Sequence, residues 1–94
     1  IIDLRSLVPW DKLLVENSIK KTNRVLVLHE ANLSGGIGGE IASYISEHFF
    51  DSLDAPVVRL GSLDTPIPFS QKIEKDIYLP ISRIKEKINY LLEY

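Results

Sequence analysis

Residues 24–49, "RVLVLHEANLSGGIGGEIASYISEHF", constrain the fold more than any other stretch. After Arg24 the run Val25–Leu28 is continuously apolar. Such a run suits a strand buried on both faces, the mark of a parallel sheet. Glycine then fills four of the five positions from Gly35 to Gly39. Beyond it, Ile37, Ile41, Ala42, Ile45 and Phe49 recur with the period of one helix face, and Glu40 and Glu47 fall on the other. A strand, a glycine turn and an amphipathic helix make half of a βαβ unit. The other half is "APVVRL" (55–60), with Pro56 at its start, where a missing N–H is tolerable.

The flanks extend this alternation. "IIDLR" (1–5) has the β-branched residues of a strand. Pro9 in "SLVPWD" blocks both a helix and a central strand. Asp11 is placed to cap a helix running to about Lys21, with Leu14, Val15, Ser18 and Ile19 on one face. Lys20 and Lys21 suit the dipole of its last turn, and Thr22 and Asn23 end it. Residues 61–80 hold three prolines and a glycine, which exclude a long regular element. We expect an extended connection there, with one helical turn around Gln71–Lys75. After Pro80, Ser82 can cap a closing helix whose face is Ile84, Ile88, Leu91 and Leu92.

Strand, helix, strand, helix, strand, connection, helix predicts a single three-layer α/β/α domain with a mostly parallel sheet. Three strands make a thin sheet. The chain has no methionine and opens inside an apolar segment. We therefore expect a piece of a longer polypeptide whose first strand or strands and helix lie elsewhere.

Charge and cysteine content narrow the function. A net charge of −2, with acids and bases mixed along the chain, gives no footprint for nucleic acid or an anionic membrane. Without cysteine there is no disulfide and no thiolate zinc site. No apolar run approaches the ~20 residues that span a bilayer. The default is a soluble intracellular protein.

The glycine loop raises the question of a phosphate. A dinucleotide fingerprint needs G-x-G-x-x-G and an acid about 20 residues on. From Gly36 the third glycine is replaced by Ile41, and Leu60–Gly61 stand where the acid would be. A Walker loop needs Gly-Lys-Ser/Thr, but Gly39 is followed by Glu40. That carboxylate suits a helix start and repels a phosphate. The remaining role for Gly35, Gly36, Gly38 and Gly39 is close backbone approach, of a helix to its sheet or of another chain. His29 and Glu30 end the strand where α/β sheets carry sites. Adjacent strand residues point to opposite faces, so the two do not share a proton. His29 reads as an interface hydrogen-bonder first and a catalyst second. His48 reads as surface, and Trp10 as a core plug. Tyr90–Tyr94 form either an interface or a frayed helix end. A stand-alone flavodoxin-like module binding a nucleotide or small ligand remains the alternative.

Four stretches together resemble the C-terminal domain of the beta subunit of thiamine-dependent 2-oxo acid dehydrogenases, in the transketolase superfamily. They are "IDLRSLVPWD" (2–11), "RVLVLHEANLSGGIGGEIAS" (24–43), "LDAPVVRLGSLDTPIPFS" (53–70) and "LPISRIKEKINYLLEY" (79–94). "PWD", "HEA" and "DTPIPF" look more like the branched-chain (2-oxoisovalerate) type than the animal pyruvate type. Bacterial pyruvate enzymes share many of these words.

The resemblance implies a parent enzyme that decarboxylates a 2-oxo acid and passes the acyl group to a lipoyl group. Its thiamine diphosphate and magnesium would lie on the alpha subunit and the N-terminal domain of the beta subunit, not here. The implied partners are an alpha subunit, a second beta subunit and the subunit-binding domain of the acyltransferase. The implied compartment is a bacterial cytoplasm or a mitochondrial matrix. The resemblance also implies a further strand between 1–5 and 24–28. Without it the sheet has a gap, to be filled by another segment or another copy. Glu47, Asp51, Asp54, Glu93 and the Tyr94 carboxylate are then the candidates for docking a basic partner.

Overall fold

A computed structural model describes residues 1–64 and 81–94. The expected turn at Gln71–Lys75 and most of the proline-rich connection lie outside the described residues. Among the described residues, three α-helices and two strands follow in order: α1 (Lys12–Thr22), β1 (Leu26–Asn32), α2 (Ile37–His48), β2 (Val58–Ser62) and α3 (Ile81–Glu93). A short 3-10 turn, Phe50–Ser52, follows α2.

Each helix start and stop has a local cause. The Asp11 carboxylate accepts from Leu14 N at 3.1 Å and caps α1. Asn23 ends it in the left-handed conformation, φ 61°. α2 starts at Gly36 without a side-chain cap, and Glu40 lies in its first turn. Ser82, expected as the cap of the closing helix, lies inside the first turn of α3 instead.

β1 and β2 pair in parallel, with Leu26 opposite Val58, Val27 opposite Arg59 and Leu28 opposite Leu60. The parallel βαβ core is thus as the sequence implied. Its strands sit further along than expected: β1 runs to Asn32 and β2 to Ser62. The third expected strand, residues 1–5, is absent from the two-stranded sheet. A strand needs a neighbour to take its backbone hydrogen bonds, and among the described residues this segment has none. Arg5 breaks its extended run in the left-handed region, φ 58°.

The core is a cluster of Trp10, Val15, Ile19, Ile41 and Ile45. Trp10 is 8% exposed, the plug its position implied. The ring of Tyr44 meets it edge-on, with centroids 5.2 Å apart. The apolar faces of α1 and α3 are narrower than their periodicity suggested. Leu14 is half exposed, and Ile88 and Leu92 of α3 face outward while Leu91 is buried.

Residues 1–5, Val15 and Ile19 of α1, Ile41 and Ile45 of α2, and the run 24–29 together line an apolar trough of about 690 Å³. Six consecutive residues of 24–29 reach it. Alternate strand residues point to opposite faces, so the trough lies along an edge of β1. β2 takes the other edge.

Candidate functional site

The crowded glycines enclose a histidine. His29 leaves β1 on the face that carries Val27, toward the start of α2. A Cβ on Gly36 would lie 2.8 Å from its Cε1, and one on Gly61 2.7 Å from the same atom. A Cβ on Gly38 would overlap its Cδ2 and lie 2.5 Å from Nε2. Three glycines from the loop, α2 and β2 therefore form a cradle that no side chain could share. Both ring nitrogens are buried without a hydrogen-bond partner. A general acid or base must reach its substrate within hydrogen-bond distance. His29 also lines the trough beside β1, with both nitrogens turned into the glycine cradle. Glu30 is exposed and belongs to the other face.

Gly35 and Gly39 have different jobs. Gly35 turns the loop with φ +72° in open space. A Cβ on Gly39 would meet only the end of Arg59, at 3.3 Å. The loop is fastened to β2 by polar contacts. Leu33 N donates to Ser62 O at 3.0 Å. Asp64 accepts from Ser34 N at 2.9 Å and from Ser34 Oγ at 2.5 Å. The Ser34 hydroxyl, and then its backbone N–H, hold the Asp64 carboxyl below the usual carboxylate range. The Ser62 hydroxyl donates to Glu30 O. Sequence reading passed over this Ser34–Asp64 clasp. Its signal was Ser34 beside the glycines and the acid of "LDT", 30 positions apart.

The second candidate region is the edge beyond α2. Glu47, Asp51, Asp54 and Glu93 are all exposed. Among the described residues the ion pairs Arg5–Asp3 and Lys20–Glu16 do not involve these four acids. Asp54 and Tyr94, 40 positions apart, line one cleft with Phe50 and Pro56. Phe50 and Tyr94 are 70% and 63% exposed. Tyr90 and Tyr94 stack edge to face, centroids 6.0 Å apart. His48, expected as plain surface, is exposed but lies flat on Tyr44 at 3.9 Å. Lys12 Nζ is 4.6 Å from that ring's centroid.

A family model described as the C-terminal domain of transketolase matches residues 1–84. The chain belongs to the transketolase C-terminal domain family. Over 95 residues, covering 96% of this chain, it is 44% identical to the mitochondrial 2-oxoisovalerate dehydrogenase subunit beta 2 of Arabidopsis thaliana. It is 40% identical over 94 residues, its whole length, to the pyruvate dehydrogenase E1 component subunit beta of Cyanidium caldarium. With the corresponding subunit of Porphyra purpurea it shares 48% identity over 75 residues, 80% of this chain. The chain spans 26%, 29% and 23% of these three relatives, respectively. Both the branched-chain and the pyruvate names recur among these relatives.

The resemblance implies a diphosphate and magnesium for a parent of this transketolase C-terminal domain. Among the described residues no three His, Cys, Asp or Glu side chains gather to hold a metal ion. The glycine cradle is filled by the His29 ring, and Glu40 places a negative charge in the first turn of α2. These residues do not fit a magnesium diphosphate. No helix among them is long and apolar enough to cross a membrane.

Proposed function

We propose that this chain is the C-terminal assembly domain of the beta subunit of a 2-oxo acid dehydrogenase. The parent would act on a branched-chain 2-oxo acid or on pyruvate, with thiamine diphosphate and magnesium held outside this domain. The domain itself packs and docks. The alignment with beta subunits over nearly the whole chain supports the first half of this reading. The observation that carries the second is the cleft shared by Asp54 and Tyr94. It joins an exposed carboxylate to two exposed aromatic rings, a pairing suited to a cationic partner surface. Asp51 and Glu47 extend the same charge along the edge.

The partner at this edge is the subunit-binding domain of the acyltransferase. The alpha subunit and a second beta subunit pack elsewhere. The trough along β1 takes a further strand of the parent domain. That strand would cover Val25 and Val27, which are partly exposed and line the trough.

Co-purification tests the docking role. A full-length beta subunit carrying Asp51→Lys and Asp54→Lys, assembled with its alpha subunit, should lose the acyltransferase while keeping its own assembly. Undiminished co-purification would remove the docking role.

A further inference from the structure

We propose that Arg24 is a positioning residue for the C-terminal docking edge, an inference that rests on the docking reading above. Arg24 stands just before β1. Its Nε donates to the carbonyl oxygen of Leu91 at 2.8 Å, across 67 positions of sequence, in a partly buried bond. The last carbonyls of a helix have no partner within it. A cation beside them is favourable with the helix dipole. The last turn of α3 contains no basic residue of its own. Arg24 supplies, from the start of β1, both the donor and the charge that this turn lacks.

The attachment point is well placed. Leu91 is the buried residue of α3 among those described. Side chain and carbonyl of one residue therefore tie the helix end to the sheet. Three residues on, Tyr94 reaches the cleft that Asp54 also lines. The rest of the last turn, Leu92 and Glu93, is exposed and has no such hold. A last turn released from Arg24 frays, as helix ends do, and Tyr94 leaves the cleft. Arg24 itself never needs to touch the partner.

Two measurements on the full-length beta subunit, assembled with its alpha subunit, test this. Hydrogen exchange of the amides near Leu91–Tyr94 reads the anchor without any partner. Titration with the recombinant subunit-binding domain of the cognate acyltransferase reads docking. In Arg24→Gln, exchange at the helix end should speed up. If about a fifth of helix ends stay seated, the apparent Kd rises about fivefold. Arg24→Lys, which keeps a donor and a charge, should recover part of both. A merely stabilising Arg24 would lower Tm and leave the Kd of the folded protein alone. Unchanged exchange in Arg24→Gln overturns the anchor whether or not docking occurs here. Faster exchange with an unchanged Kd, while Asp54→Lys weakens binding, overturns the positioning role. If Asp54→Lys is also silent, the docking reading falls, and this inference falls with it.

Discussion

A Cβ on Gly38 would lie 2.5 Å from Nε2 of His29. The ring thus accounts for Gly36 and Gly38 of the loop, while Gly35 and Gly39 do not touch it. Gly38 and Gly39 are neighbours in the first turn of α2, yet their substitutions should differ. Overpacking costs ~1–3 kcal/mol, against at most ~1 kcal/mol gained from alanine's helix propensity. Gly38→Ala should destabilise by about 1–2 kcal/mol and lower Tm by about 5–10 °C. Gly39→Ala meets only the movable end of Arg59 and should be neutral or stabilising. Gly35→Ala, at φ +72°, should cost ~1–2 kcal/mol through backbone strain alone. Thermal melts of the three variants check this. Equal effects at 38 and 39 would contradict the cradle.

The Ser34–Asp64 clasp predicts a pH dependence. Hydrogen bonds from Ser34 lower the Asp64 carboxyl in the folded state. A group depressed on folding stabilises above its unfolded pKa, about 3.9 for Asp. That contribution is lost as pH falls through the lower folded value. Asp64→Asn should therefore be less stable than wild type at pH 7, and the difference should shrink away through the acid range. Ser34→Ala should mimic it. Denaturant midpoints from pH 2 to pH 7 measure the effect; a gap that stays constant with pH would exclude the clasp as its source.

The parts legible in the sequence were those set by local periodicity. The Asp11 cap, the face of α2, the parallel pair and the plug at Trp10 all follow from spacing and side-chain type. Residues 1–5 misled because a β-branched run says nothing about whether a neighbour exists to pair with. Ser82 misled because a cap depends on backbone geometry one residue away. The His29 cradle combines the loop with Gly61, which lies 32 positions from the ring. No local pattern joins these. The adjacent-residue rule did separate His29 from Glu30, and this is why catalysis was already the weaker reading.

The trough along β1 makes a prediction about the 94-residue chain alone. Its lining is apolar, and one edge of β1 faces it. Exposed strand edges recruit other strands, and each buried unsatisfied backbone group costs ~1–3 kcal/mol. By light scattering the isolated chain should show a mass above its 10.7 kDa. Fusing to its N-terminus the strand and helix that the proposed parent would supply should reduce that association. A stable monomer of the 94 residues, with the amides of 24–29 fully protected from exchange, would contradict an open trough.

On the proposed function, the acidic edge at Asp51, Asp54 and Tyr94 docks a cationic partner. Calorimetric titration of the acyltransferase subunit-binding domain into the assembled subunit tests it most directly, at several salt concentrations. Binding should weaken as salt rises, because exposed charges are screened beyond ~10 Å at 0.1 M. Asp51→Lys with Asp54→Lys should lower affinity by about tenfold or more and flatten that salt dependence. Equal affinity and an equal salt slope in the wild type and the reversed variant would contradict the claim.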